Sequence, residues 1–117
     1  MEFEIRFYEK ADGTRPAEEF LNALDKPMRI KMVKMISLLG ELGFNLREPY
    51  SKPIDDGIFE LRCQSGNNIS RILYFFYCDN KIIMTNGFIK KTNKTPKKEI
   101  ELAKSRKADY IGRMMNK

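Results

Sequence analysis

Two short turn signals in succession constrain this chain more than any other feature. Apolar, β-rich stretches at about 58–64, 69–78 and 81–90 are joined by Gly66-Asn67 and Asp79-Asn80. Strands joined by turns this tight must run antiparallel, so the three form a meander. The stretch before it alternates, Phe3-Glu4-Ile5-Arg6-Phe7-Tyr8, and reads as a half-buried strand. Asp12-Gly13-Thr14 is a turn, and Pro16 opens a short helix through Ala23. Asp25 can cap a second helix, in which Met28, Met32, Met35, Ile36, Leu39 and Leu42 make one apolar stripe. Gly43 stops it, and residues 44–57, with Pro49, Pro53 and Asp55-Asp56-Gly57, read as a loop. Thr95-Pro96 supplies an N-cap and first turn for a last helix reaching towards Met114, with Ile100, Ala103, Ile111 and Met114 on one face. The order β-α-α-β-β-β-α makes an α+β fold, a small antiparallel sheet packed with helices, and residues 1–117 fit one domain.

Assuming two-residue loops at both turns gives the register. Arg62 falls opposite Arg71, Arg71 opposite Phe88, and Lys90 lies diagonal to Arg71. Glu60, Arg62, Arg71, Phe88 and Lys90 then share one face. Phe59, Leu61, Ile72, Tyr74, Phe76 and Ile89 take the other, which is expected to be the main core. Two arginines facing each other across strands repel by ~0.2–1 kcal/mol. A bound anion would relieve that, and the arginine fork matches phosphate. Neutralisation by Glu60 is the competing explanation. Phe88 can stack a base or fill a gap under a helix. The same register puts Cys63 opposite Ser70 and Cys78 near Asp55, so both thiols are expected to be free.

Charge distribution supports a polyanion partner. Residues 1–60 carry net −3 and residues 61–117 net +9, with five lysines and no acid in 90–98. The chain has no histidine, which excludes a Ser-His-Asp triad and a two-histidine ribonuclease mechanism. Two cysteines without histidine make no zinc motif. The longest apolar run, Ile72 to Cys78, is seven residues, where a membrane helix needs about 20. With no basic or apolar leader after Met1, the expectation is a cytoplasmic protein with no membrane contact.

Four segments together resemble the RelE/HigB-like toxins, in the branch described as phage-derived. They are Gly57-Ile58-Phe59-Glu60-Leu61-Arg62, Arg71-Ile72-Leu73-Tyr74-Phe75-Phe76, Gly87 through Pro96, and Glu99-Ile100-Glu101-Leu102-Ala103. Pro16 before Glu19-Phe20-Leu21 fits as well. The resemblance implies the toxin of a type II toxin–antitoxin module that cleaves mRNA on the ribosome. It implies a cognate antitoxin, in this branch commonly carrying a helix-turn-helix domain. Arg62, Arg71 and Lys90 match basic positions implicated in catalysis or RNA binding, and Lys91 and Lys94 match RNA-contacting positions. Glu60 and Phe88 complete the candidate RNA-binding set. Some related toxins use a histidine or a C-terminal tyrosine for proton transfer; this chain offers only Tyr110, late in the last helix. No metal or other cofactor is expected. The alternatives are a same-fold toxin that blocks a protein such as DNA gyrase, and an RNA-binding module without catalysis.

Overall fold

A computed structural model describes residues 2–116. The elements are β1 (Glu4–Phe7), α1 (Pro16–Ala23), α2 (Lys26–Leu42), β2 (Ser51–Asp55), β3 (Ile58–Ser65), β4 (Asn68–Tyr77), β5 (Lys81–Lys90) and α3 (Lys97–Met115), with a short 3-10 turn at Gly43–Asn45. One five-stranded sheet has the order β1-β5-β4-β3-β2. Its meander is antiparallel, but β1 runs parallel to β5, so the sheet is mixed rather than purely antiparallel.

The helix signals act as the chemistry requires. The Asp25 carboxylate accepts from the Met28 N–H at 2.9 Å, satisfying a donor that α2 would otherwise leave open. Gly43, at φ +52, ends α2 where a Cβ would run into the Phe3 ring. Met28, Met32 and Leu39 are buried and Met35 and Ile36 pack beside them, whereas Leu42 is 39% exposed. Thr95 does not cap α3. The residue before the helix is Pro96, with no side-chain cap, and the Thr95 hydroxyl is used elsewhere.

Both faces of the sheet are covered. Helices α1 and α2 close one cluster, built on Leu61, Ile72, Tyr74, Ile82 and Met84. Helix α3 closes a second, built on Ile58, Leu73, Phe75, Ile83, Phe88 and Ala103. The face carrying the arginines is therefore a second core, not an open surface. Ile89, expected in the main core, is 46% exposed near the end of β5. Much of the basic charge on α3 attaches the helix to the sheet. Lys104 pairs with Asp55 at 2.5 Å, Lys107 donates to the Asp56 carbonyl at 2.6 Å, and Arg106 donates to the Thr85 carbonyl at 3.0 Å.

Two further features, in the strands and turns, depart from the sequence reading. Residues 51–55 form an edge strand inside the expected loop. Pro53 is tolerated there because an edge strand has one side on which no donor is needed, and a bulge follows it. The second meander turn holds three residues, Cys78 to Asn80, not two, since Tyr77 pairs with Lys81. Cys78 therefore sits exposed in the turn, and both thiols are free. An irregularity at Thr85, between the Tyr74–Met84 and Leu73–Asn86 pairs, then restores the register the sequence suggested.

At Gly87 the Phe20 ring of α1 lies directly against β5. A Cβ on Gly87 would enter the Phe20 ring. Gly87→Ala is expected to lower stability by ~1–3 kcal/mol, the usual cost of overpacking, read as a lower urea midpoint. An unchanged midpoint would mean that α1 does not hold Phe20 against β5.

Candidate functional site

The meander fixes the site. Arg62 on β3 lies opposite Arg71 on β4, and Arg71 lies opposite Phe88 on β5. Period-two alternation puts Glu60 on the same face, one residue pair from Arg62. Lys90 pairs with Ile69 at the end of β5.

Glu60 is the hub. It is fully buried, and one carboxylate oxygen accepts from Arg62 Nε at 2.6 Å. The other oxygen accepts from the Thr95 hydroxyl and lies 3.7 Å from Arg71 Nε. One carboxylate thus serves two guanidinium groups and leaves one positive charge in excess. Neutralisation by Glu60 accounts for part of how the facing arginines coexist. The segment after β5 supplies the rest: Arg71 Nη2 donates to the Thr92 carbonyl and Arg62 Nη2 to the Asn93 carbonyl.

The two arginines differ in access. Arg71 is fully buried, with its guanidinium 5.5 Å above the centre of the Phe88 ring. Its Nε and Nη1 have no hydrogen-bond partner. Burial pushes its pKa down, Glu60 opposes that, and Arg62 adds to it. The Arg62 side chain keeps 19% exposure. It reaches the wall of a groove of about 400 Å³, shared with Pro49, Tyr50, Gln64, Ile69 and Asn93.

The remaining expected residues divide cleanly. Phe88 is buried in the second core beneath Arg71, the gap-filling position. Lys90, Lys91 and Lys94 are exposed on the segment whose carbonyls hold the arginines. Tyr110 packs on Phe75 and Tyr77 at centroid distances of 5.8 and 5.2 Å. Phe75 is four residues along β4 from Arg71, about 13 Å at ~3.3 Å per residue, so Tyr110 belongs to the far end of α3. Sequence reasoning missed Thr95, which had been assigned to a helix cap, and Tyr50, which lay inside the supposed loop. Among the described residues no group of three or more Cys, Asp or Glu is placed to hold a metal ion, and no helix is long and apolar enough to cross a membrane.

A mixed sheet between two helical layers is the architecture of the RelE-like class of small α+β toxins. Within it, residues 19–108 match the family described as phage-derived protein Gp49-like, and the chain belongs to that family. It is also 31% identical over 102 residues to the probable endoribonuclease HigB1 of two Mycobacterium tuberculosis strains, an alignment covering 86% of this chain and 79% of each relative.

Proposed function

We propose that this chain is the toxin of a toxin–antitoxin pair and an endoribonuclease that cuts mRNA on the ribosome. The observation that carries the reading is the Arg62–Arg71 pair, with one charge unneutralised, opening through Arg62 onto a groove that Asn93 also lines, on a segment that carries the exposed Lys91 and Lys94. The similarity to HigB1 points the same way.

In this reading a ribose 2′-hydroxyl gives up its proton to solvent water and attacks its own 3′-phosphate, forming the O2′–P bond of a 2′,3′-cyclic phosphate as the P–O5′ bond breaks. Negative charge builds on the non-bridging oxygens, and the outward-facing Arg62 guanidinium stabilises it. Arg71 lies behind as a fixed positive charge in a dry environment, where its field is screened least. Glu60 is a positioning residue, since both of its oxygens are engaged by Arg62 and Thr95. Lys90 is the cation at the strand end suited to proton transfer to the leaving oxygen. Lys91 and Lys94 hold flanking phosphates. Arginine and lysine carry the charge that a divalent ion supplies in other nucleases. The ribosome supplies the in-line alignment, which fits a site with so few groups. The partner is an antitoxin with a helix-turn-helix domain, presenting acidic and apolar residues to this basic surface.

The test is induction of the chain alone in bacteria, with RNA 5′ ends mapped across the transcriptome. Growth arrest with new ends inside translated codons is expected. Arrest without new ends would sink the nuclease reading and favour a protein target such as DNA gyrase. Absence of arrest from folded protein would leave an RNA-binding module.

A further inference from the structure

We propose that Tyr50 is a base-stacking platform on a single-stranded RNA track that leads from Arg62 onto the outer side of α2, ending at Lys31 and Lys34. The proposal rests on the RNA reading above and names a subsite for it. Tyr50 is 49% exposed, and its ring packs on no other aromatic among the described residues. Its backbone is nonetheless fixed: the Tyr50 carbonyl accepts from the Arg62 N–H at 2.8 Å, and the Tyr50 N–H donates to the Arg47 carbonyl at 3.0 Å. With the backbone fixed, a half-bare tyrosine has only two side-chain torsions to order when something flat settles on its ring.

Tyr50 lines two grooves. The first, of about 400 Å³, is the one that Arg62 enters beside Asn93. The second, of about 290 Å³, is lined by Lys31, Lys34, Met35 and Cys63, together with the Tyr50, Arg62 and Gln64 it shares with the first. Lys31 Nζ donates to the Gln64 carbonyl at 3.3 Å, which holds α2 beside the end of β3. Neither Lys31 nor Lys34 is ion-paired among the described residues.

The second groove thus has an apolar floor, an aromatic wall, an amide and a cationic rim. That set suits an unpaired nucleobase: its face stacks on Tyr50, its edge meets the Gln64 amide, and its phosphates lie against the lysines. Stacking tolerates any base, so the subsite adds affinity and position without dictating sequence. An acidic peptide would use the lysines but would leave the flat ring and the amide without a matching partner.

The test uses the full chain and a 2′-O-methyl hexanucleotide carrying 2-aminopurine, which binds but cannot be cut. Binding is expected to quench the 2-aminopurine fluorescence. Tyr50→Phe should keep both affinity and quench. Tyr50→Leu should lose the quench and weaken binding about 5- to 150-fold, the range for one stacked base. The double variant Lys31→Ala, Lys34→Ala should make the salt dependence of log K shallower by ~1.4. Thermal melting confirms that each variant is folded. Equal affinity and equal quench in Tyr50→Leu would overturn the proposal, as would a Tyr50→Leu defect in binding a protein partner with RNA binding unaltered. Because the probe is uncleavable, Tyr50-dependent binding without mRNA cleavage in cells would remove the nuclease reading alone. Cleavage with Tyr50-independent binding would remove this subsite alone.

Discussion

Glu60→Ala is expected to lower the folding free energy by ~3–5 kcal/mol, the cost of stranding a buried charge by removing its partner. For a domain whose total stability is of order 5–15 kcal/mol, that approaches unfolding. The reason is geometric. Arg71 is fully buried, two of its donors have no hydrogen bond, and Glu60 is the carboxylate within 4 Å. Without Glu60, Arg62 and Arg71 face each other with only backbone carbonyls between them and the cost of burial. A second variant isolates the cause. Glu60→Ala combined with Arg71→Met removes both charges and should regain much of the loss, since apolar replacement of a buried pair is often neutral or better. Urea unfolding of the two single variants and the double gives the coupling directly. Additive losses would show that Glu60 and Arg71 do not depend on each other, and the hub role assigned to Glu60 would fall.

The second large effect is on catalysis. Arg62→Ala should slow cleavage of mRNA on programmed ribosomes by ~10²- to 10³-fold, the usual loss on removing one transition-state donor. Arg62→Lys should recover only part, because lysine keeps the charge but not the fork that grips two phosphate oxygens while bonding Glu60. Cleavage is read by primer extension well below the melting temperature, so the lost Glu60 contact does not confound the rate. A rate equal to the unmodified chain's would remove Arg62 from the reacting centre.

Sequence carried the meander, the full β3–β4 register, and the β4–β5 register over the half that holds the arginines. Arg62, Arg71 and Phe88 fall opposite one another because apolar alternation leaves little freedom once one turn is placed. The second half of that register was right through two offsetting departures, a three-residue turn and the Thr85 irregularity, and neither has a local residue signature. Strand β2 was hidden because Pro49, Pro53 and Asp55-Asp56-Gly57 are turn formers, and only its place at the sheet edge makes Pro53 acceptable. That miss concealed Tyr50, which immediately precedes the strand. The burial of Arg71 was equally illegible. It depends on where α3 and the preceding segment lie over the sheet, a tertiary fact that periodicity along one strand does not encode. Thr95 shows the same limit: a helix-capping residue by type, it spends its hydroxyl on a carboxylate 35 positions away in the chain.

The parallel pairing of β1 with β5 has a consequence for synthesis. Glu4 finds its partner only at Lys81, and Phe7 at Met84. Loop closure over that span must precede any gain from the contact. As the chain is made, β1 therefore has no strand to pair with until β5 has emerged. The arginine face is finished later still, because Thr92, Asn93 and Thr95 follow β5 and α3 comes last. A product that stops before residue 92 carries Arg62 and Arg71 but not the carbonyls that order them, so the arginine pair is held in place only once that segment has been made.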